Sequence, residues 1–229
     1  MEKDNSKDNR TELVFILDRS GSMGGLENDT VGGYNSMMEK QRKEGGEIIV
    51  TTVLFDDRYE LLHDRIPLTE LRPMTEDNYF VRGCTALIDA IGTTIKKIAR
   101  AQSNTLPEHR ADKTIFVITT DGYENASHKY RAEEVRKMVE RKREKYGWEF
   151  IFLGANIDAV ETARHYGFAE SRTVNFVSDR EGINCYSEAV GDTIKEIRFC
   201  ESEYLPDDEM VACLAPIAED HKKRGNAKK

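Results

Sequence analysis

Apolar residues fall along the chain in short unbroken runs separated by stretches of helical periodicity, the pattern of buried strands alternating with helices. Leu13-Val14-Phe15-Ile16-Leu17 has no alternation and reads as a strand covered on both faces. Asn28 to Thr30 offers capping side chains, and Val31, Tyr34, Met37 and Met38 then recur at helical spacing up to Lys43, with Gly45-Gly46 as a stop. Glu47 to Phe55 is β-rich, Asp56-Asp57 makes a turn, and Arg58 to Ile66 returns as an antiparallel strand. Between Pro67 and Gly83 the pattern dissolves into a surface loop. A second helix begins near Leu87, with Leu87, Ile88, Ile91, Ile95 and Ile98 as its buried stripe and Asp89 complementing its dipole.

After a polar connection from Ala101 to Asp112, Ile115-Phe116-Val117-Ile118 predicts another buried strand. Tyr130 to Lys145 predicts a charged helix with Val135, Met138 and Val139 inward, followed by a strand from Trp148 to Leu153 and a short helix from Asp158 to Tyr166, closed by Gly167. Arg172 to Val177 reads as the last strand. Ile183 to Tyr204 reads as a long helix with Tyr186, Val190, Ile194, Ile197 and Phe199 on or near its inner side. Beyond Pro206 the pattern weakens: Asp207 to Ala215 predicts one or two helical turns, and the basic stretch from His221 to Lys229 predicts disorder.

Strands alternating with helices predict an α/β fold, a three-layer, doubly wound, mostly parallel sheet with one antiparallel edge strand. The chain of 229 residues is long enough for one well-packed domain. It divides into a disordered polar tail (1–10), a single domain (11–204) and a partly disordered extension (205–229).

Composition narrows the function classes. A net charge of −8 disfavours non-specific attraction to nucleic acid or an anionic membrane. In the charged helix Glu133, Glu134, Glu140 and Glu144 interleave the basic residues, so it reads as a solvated face rather than a nucleic-acid helix. The polar start has no apolar core for a signal peptide or anchor, and no later run approaches a membrane span. Cys84, Cys185, Cys200 and Cys213 are scattered and read as reduced, buried thiols of a cytoplasmic protein, expected to be a monomer.

The chemistry concentrates in Asp18-Arg19-Ser20-Gly21-Ser22-Met23, directly after the first strand. Gly21 and Gly24 permit a tight loop that can aim several oxygens at one point. Oxygens without sulfur or imidazole suit magnesium, manganese or calcium better than zinc. Taken alone, the same residues could simply cap the next helix, and Thr85 could cap the helix that begins at Leu87. Asp121 repeats the grammar of Asp18: an apolar strand, a carboxylate, a turn. If the two strands are neighbours where the strand order reverses, Asp18 and Asp121 come close together, and a divalent cation would offset their repulsion.

The three loops Asp18-Arg-Ser20-Gly-Ser22, Gly83-Cys-Thr85-Ala-Leu and Thr119-Thr-Asp121-Gly resemble the metal-ion-dependent adhesion site (MIDAS) of von Willebrand factor type A (VWA) domains, which are related to integrin inserted domains. The resemblance runs from about Thr11 to Phe176, and the first loop matches the Asp-x-Ser-x-Ser pattern without gaps. It implies that Ser20 and Ser22 bind the cation directly and that Asp18 and Asp121 act largely through water. Thr85 would bind directly or through water, according to the conformation of its loop. Cys84 stands where the family often has a small residue, and Tyr123-Glu124-Asn125 is longer-chained than the simplest versions, which leaves the direction of Glu124 open. The resemblance also suggests the family's intracellular bacterial members.

Hydroxyls with indirectly placed carboxylates leave a cation electrophilic, with an open position that a partner's Glu or Asp can fill. The expected function is therefore a Mg2+-, Mn2+- or Ca2+-dependent protein-interaction module, not an enzyme and not a binder of nucleic acid or membrane. The loop from Pro67 to Gly83 and the segment from Tyr123 to Lys129 would rim the metal. The alternative is a metal-dependent hydrolase or phosphatase using Asp18 as nucleophile. Such enzymes place a second carboxylate two residues later, where this chain has Ser20, and no His-Glu-x-x-His, Gly-x-Ser-x-Gly or Walker motif is present. His63, His109, His128 and His165 are isolated and read as solvated or structural. A third reading is a degenerate site on a purely structural domain.

Overall fold

The computed structural model describes residues 10–225; the predicted N-terminal tail, apart from Arg10, and the last four residues lie outside that range. Among the described residues six strands form, β1 (Thr11–Asp18), β2 (Ile48–Phe55), β3 (Tyr59–Pro67), β4 (Lys113–Thr120), β5 (Glu149–Gly154) and β6 (Thr173–Asn175). They make one sheet in the order β3-β2-β1-β4-β5-β6, in which β3 runs antiparallel to β2 and every other pairing is parallel. Six α-helices accompany them: α1 (Glu27–Glu44), α2 (Leu87–Ser103), α3 (Ala132–Tyr146), α4 (Ala159–His165), α5 (Arg180–Phe199) and α6 (Asp207–Arg224). The architecture is the expected α/β fold with one antiparallel edge strand.

The unbroken apolar runs follow from burial on both sheet faces. Leu13, Phe15, Leu17, Ile115 and Val117 pack with side chains of α1, α5 and α6, while Val14, Ile16, Phe116 and Ile118 pack with those of α2, α3 and α4. On the second face Phe116 stacks on Trp148 and Phe150 at centroid distances of 5.2 and 4.9 Å. On the first, α1 approaches α5 so closely that a Cβ on Gly33 would lie 2.2 Å from Ser187 Oγ. A side chain there would have to displace that hydroxyl and press on Ser187 Cβ, 3.2 Å away.

Several boundaries differ from expectation. Helix α1 starts at Glu27 with Leu26 in the cap position, so Asn28 to Thr30 lie in its first turn instead of capping it. Glu27 closes the entry by accepting a hydrogen bond from Gly25 N at 2.7 Å. Strand β6 is only three residues long, and α5 ends at Phe199, whose ring is half exposed rather than inward. The segment after Pro206 is not one or two turns but an 18-residue helix, and His221 to Arg224 belong to it rather than to a disordered end. Its apolar stripe of Met210, Leu214 and Ile217, spaced i, i+4, i+7, is buried in the same core as β1 and α5, and tertiary burial overrides Pro216 inside the helix.

The cysteines are also less hidden than expected: Cys84 is exposed, the other three are partly buried, and all four are free thiols. Among the described residues no helix is long and apolar enough to cross a membrane.

Candidate cation site

The strand order reverses between β1 and β4, at the centre of the sheet. Leu17 pairs with Thr119, so Asp18 and Thr120 leave the sheet side by side at its carboxyl edge, with Asp121 one residue on. Asp18 Oδ2 accepts a hydrogen bond from Thr120 Oγ1 at 2.6 Å and Asp18 Oδ1 accepts one from Ser20 N at 2.7 Å. Ser22 Oγ lies 3.1 Å from Ser20 Oγ and donates to Asp121 Oδ1. Ser178 Oγ reaches the other Asp121 oxygen at 3.4 Å.

Thr85 joins from the loop before α2. Its N–H donates to Asn125 Oδ1 at 2.9 Å, and Asn125 N donates back to the Thr85 carbonyl at 3.0 Å. A Cβ on Gly122 would meet Ser22 Oγ at 3.3 Å and Thr85 Oγ1 at 3.5 Å, so the two hydroxyls flank one point of backbone. All five residues singled out from the sequence are thus brought together. Asp18, Ser20, Thr85 and Asp121 are each 3% exposed or less, and only Ser22 opens to solvent.

Neither capping alternative describes these side chains. Ser20 precedes a single 3-10 turn, Gly21–Met23, and makes no side-chain cap bond. At α2 the cap position is Ala86, also without a side-chain cap. The free N–H groups of that helix are taken instead by Glu124, which accepts from Ile88 N at 2.9 Å, and by Ser127 Oγ, which accepts from Asp89 N at 3.0 Å. Glu124 also accepts from Ala126 N at 2.9 Å and Ser127 N at 2.7 Å. It therefore serves the helix and the 123–129 loop, which answers where it points.

A substitution follows from this. Glu124→Ala strands the Ile88 N–H at the start of α2 and the Ala126 and Ser127 N–H groups of the loop, and is expected to cost about 2 kcal/mol. For a chain of this size that is a fall in Tm of roughly 4–8 °C. Thermal unfolding in chelator measures it, and an unchanged Tm would show that the cap is dispensable.

The two carboxylates accept hydrogen bonds but lie in each other's field without a basic side chain between them. Burial, with a smaller contribution from the Asp121 charge, pushes the Asp18 carboxyl up to about 6 against the opposing hydrogen bonds from Thr120 and Ser20. Burial likewise raises Asp121, opposed by Ser22 and Ser178. Among the described residues neither forms an ion pair with a basic side chain. Arg19, between Asp18 and Ser20 in sequence, turns away to Asp56 and Glu60.

Two buried carboxylates beside three hydroxyls form an all-oxygen donor set that fits a hard divalent cation. No group of three or more His, Cys, Asp and Glu able to hold a metal occurs among the described residues, so any cation at the switch point depends on the hydroxyls.

The sequence reading missed three contributors. Thr120 stands inside the Thr119-Thr-Asp121 motif, and its place beside Asp18 follows from the register of β1 and β4. Tyr79 donates its hydroxyl to the Asp18 carbonyl from the loop 68–86, and Ser178 arrives from the loop before α5. Neither has a local signal, because both contacts are long-range. Beside Ser22 opens a cleft of about 890 Å³, lined among others by Leu26, Tyr123, Asn156, Phe176, Ser178 and His221 of α6.

No protein-family model matches the sequence, and no curated protein matches it. Its fold does match solved structures. With the D319A mutant of the PilB minor pilin from Streptococcus sanguinis the TM-score is 0.58, at 12% identity, over 84% of this chain and 63% of the pilin chain. With the SpRpn10 VWA domain it is 0.53, at 8% identity, over 79% of this chain and 94% of that domain. With proximal thread matrix protein 1 from the mussel byssus, in a form whose MIDAS motif is occupied by zinc, it is 0.52, at 15% identity, over 81% of this chain and 46% of that protein. The chain therefore spans under two thirds of the pilin and about half of the byssus protein. At these identities the likeness is one of fold, and that fold is the one VWA domains have.

Proposed function

We propose that the chain is a VWA domain of the intracellular bacterial type that binds a divalent cation, Mg2+ in a cytoplasmic setting, and uses it to capture a partner protein through a Glu or Asp side chain. The observation that carries this reading is the convergence of five oxygen-bearing side chains from three loops on the switch point of the sheet, two of them buried carboxylates without a basic partner. Ser20, Ser22 and Thr85 would hold the cation by their hydroxyls, with Asp18 and Asp121 supplying negative charge largely through water. A hard cation so placed supplies an electrophilic site for an incoming carboxylate. Ser22, on the solvent side, faces the cleft in which the residues flanking that carboxylate would lie. The shared fold of the byssus protein with zinc in its MIDAS supports the reading.

The hydrolase alternative asks Asp18 to present an attacking oxygen. Both of its oxygens accept hydrogen bonds from within the chain and the residue is 1% exposed, which favours a binding role and a non-enzymatic module. The test is affinity capture with wild type and Ser22→Ala in matched Mg2+ and chelator buffers. A partner retained by wild type in Mg2+ and reduced at least ~10-fold by chelator or by the substitution supports the proposal. Equal capture in chelator overturns it.

A further inference from the structure

A second cluster of charge, outside the cation site, ties together two of the loops that build it. Arg19 is fully buried, and its Nε donates to Asp56 Oδ2 at 3.0 Å while NH2 donates to Glu60 Oε2 at 2.6 Å. Asp56, also fully buried, lies in the turn between β2 and β3 and accepts on the same Oδ2 from Arg82 Nε at 2.7 Å, and on Oδ1 from Arg58 N at 2.7 Å. Both guanidinium groups lie over the Phe80 ring, each 5.1 Å from its centroid.

The backbone repeats the connection. Arg82 N donates to Arg19 O at 3.0 Å, Gly21 N to Gly83 O at 3.3 Å, and Ala86 N to Asp56 O at 2.8 Å. Gly83 has φ +66°, which strains any side chain, and a Cβ there would also fall 2.3 Å from Asp57 Oδ1 and displace it, so glycine suits the passage of the loop beside the turn.

A buried ion pair of this kind adds little net stability over a well-packed apolar pair, because desolvation offsets the attraction. What it does provide is geometry: the planar fork of an arginine fixes both partners in one orientation. The cluster fixes the Ser loop, through Arg19, and the loop that carries Thr85, through Arg82, to the same carboxylate.

We infer that Asp56, with Arg19 and Arg82, is a positioning group that sets the separation of the Ser20 and Ser22 hydroxyls from Thr85 and thereby the affinity of the cation site. The inference rests on the cation reading of that site. The Arg82 side chain acts on the site through the loop that carries Thr85, which Gly83 and Ala86 also hold by backbone contacts to Gly21 and Asp56.

A double-mutant cycle tests it, with Mn2+ as the probe and isothermal titration of the full chain as the measurement. Thr85→Ala is expected to weaken Mn2+ about 10-fold, and Arg82→Gln, in a residue whose side chain is 34% exposed, to weaken it by a similar factor. In the Arg82→Gln background, Thr85→Ala then costs less than about threefold, because Thr85 is already out of place. A role confined to fold stability would leave the two losses multiplicative, or leave Mn2+ affinity in Arg82→Gln at the wild-type value, and either result overturns the inference. Should Arg82→Gln fail to melt cooperatively, Arg82→Lys, which keeps the charge and loses the fork, carries the same cycle. Wild type that binds no Mn2+ at all overturns the cation reading itself, and with it the inference, and is recognised before any variant is compared.

Discussion

Asp18→Asn is expected to abolish the response of the protein to divalent cations while leaving its fold at least as stable in chelator. In wild type, a cation at about a hundredfold its dissociation constant stabilises by roughly 2.7 kcal/mol. For a chain of this length that raises Tm by about 5–10 °C. Asn keeps the shape of Asp18, and its side-chain oxygen can still accept from Ser20 N, while the Thr120 hydroxyl can rotate to accept from the new amide. What the substitution removes is a buried negative charge that has no basic partner and is repelled by Asp121. Without cation, that charge opposes folding at neutral pH, so its loss is neutral or stabilising. With cation, it is the charge the metal needs, so the Tm rise should fall below about 1 °C. Thermal unfolding of both proteins in chelator and in millimolar Mg2+, Mn2+ and Ca2+ reads the result. A full cation response in Asp18→Asn would place the metal elsewhere, and no response in wild type would make the site a degenerate one.

Much of this was legible because the information is local. An apolar run without alternation needs cover on both faces, and Leu13 to Leu17 and Ile115 to Ile118 have it. A carboxylate just after such a run must leave the sheet at its carboxyl edge, which placed Asp18 and Asp121 correctly once β1 and β4 proved to be neighbours. Thr85 was identified by resemblance, since its own position at the start of α2 spoke equally for a cap; the structure assigns that capping to Glu124 and Ser127.

Arg19 was not legible as a buried residue. In sequence it is a charged member of a polar loop, and only the pairing of β1 with β2 brings Asp56 beneath it. The extent of α6 was hidden for the same reason: Pro216 and the weak periodicity speak against a long helix, and the surface that stabilises it belongs to α5 and β6. That helix also reaches the cleft at Ser22, since His221 lines it. How firmly α6 is held therefore bears on the shape of that cleft.

Glu149 anchors the segment that leads into that helix, and Glu149→Ala is expected to be strongly destabilising at the amino edge of the sheet. Glu149 is the first residue of β5 and is 3% exposed. It receives Arg172 Nε at 2.7 Å and NH2 at 3.2 Å, and accepts from Leu205 N at 2.9 Å. Arg172 in turn donates to Leu205 O and Asp207, the residues that lead into α6. Removing the carboxylate leaves a buried guanidinium without its main counter-charge and a buried Leu205 N–H without an acceptor. A buried pair broken in this way costs about 3–5 kcal/mol, which lowers Tm by roughly 10 °C in a chain of this size. The double change Glu149→Leu with Arg172→Met removes both charges at once and should recover part of the loss, because no unpaired charge is left inside. In Glu149→Ala alone, proteolysis should also begin in the link between α5 and α6, around Ser202 to Leu205, since that link loses its buried anchor. A Tm within about 2 °C of wild type, or a double variant less stable than Glu149→Ala, would mean that α6 is held by its apolar stripe and not by this pair.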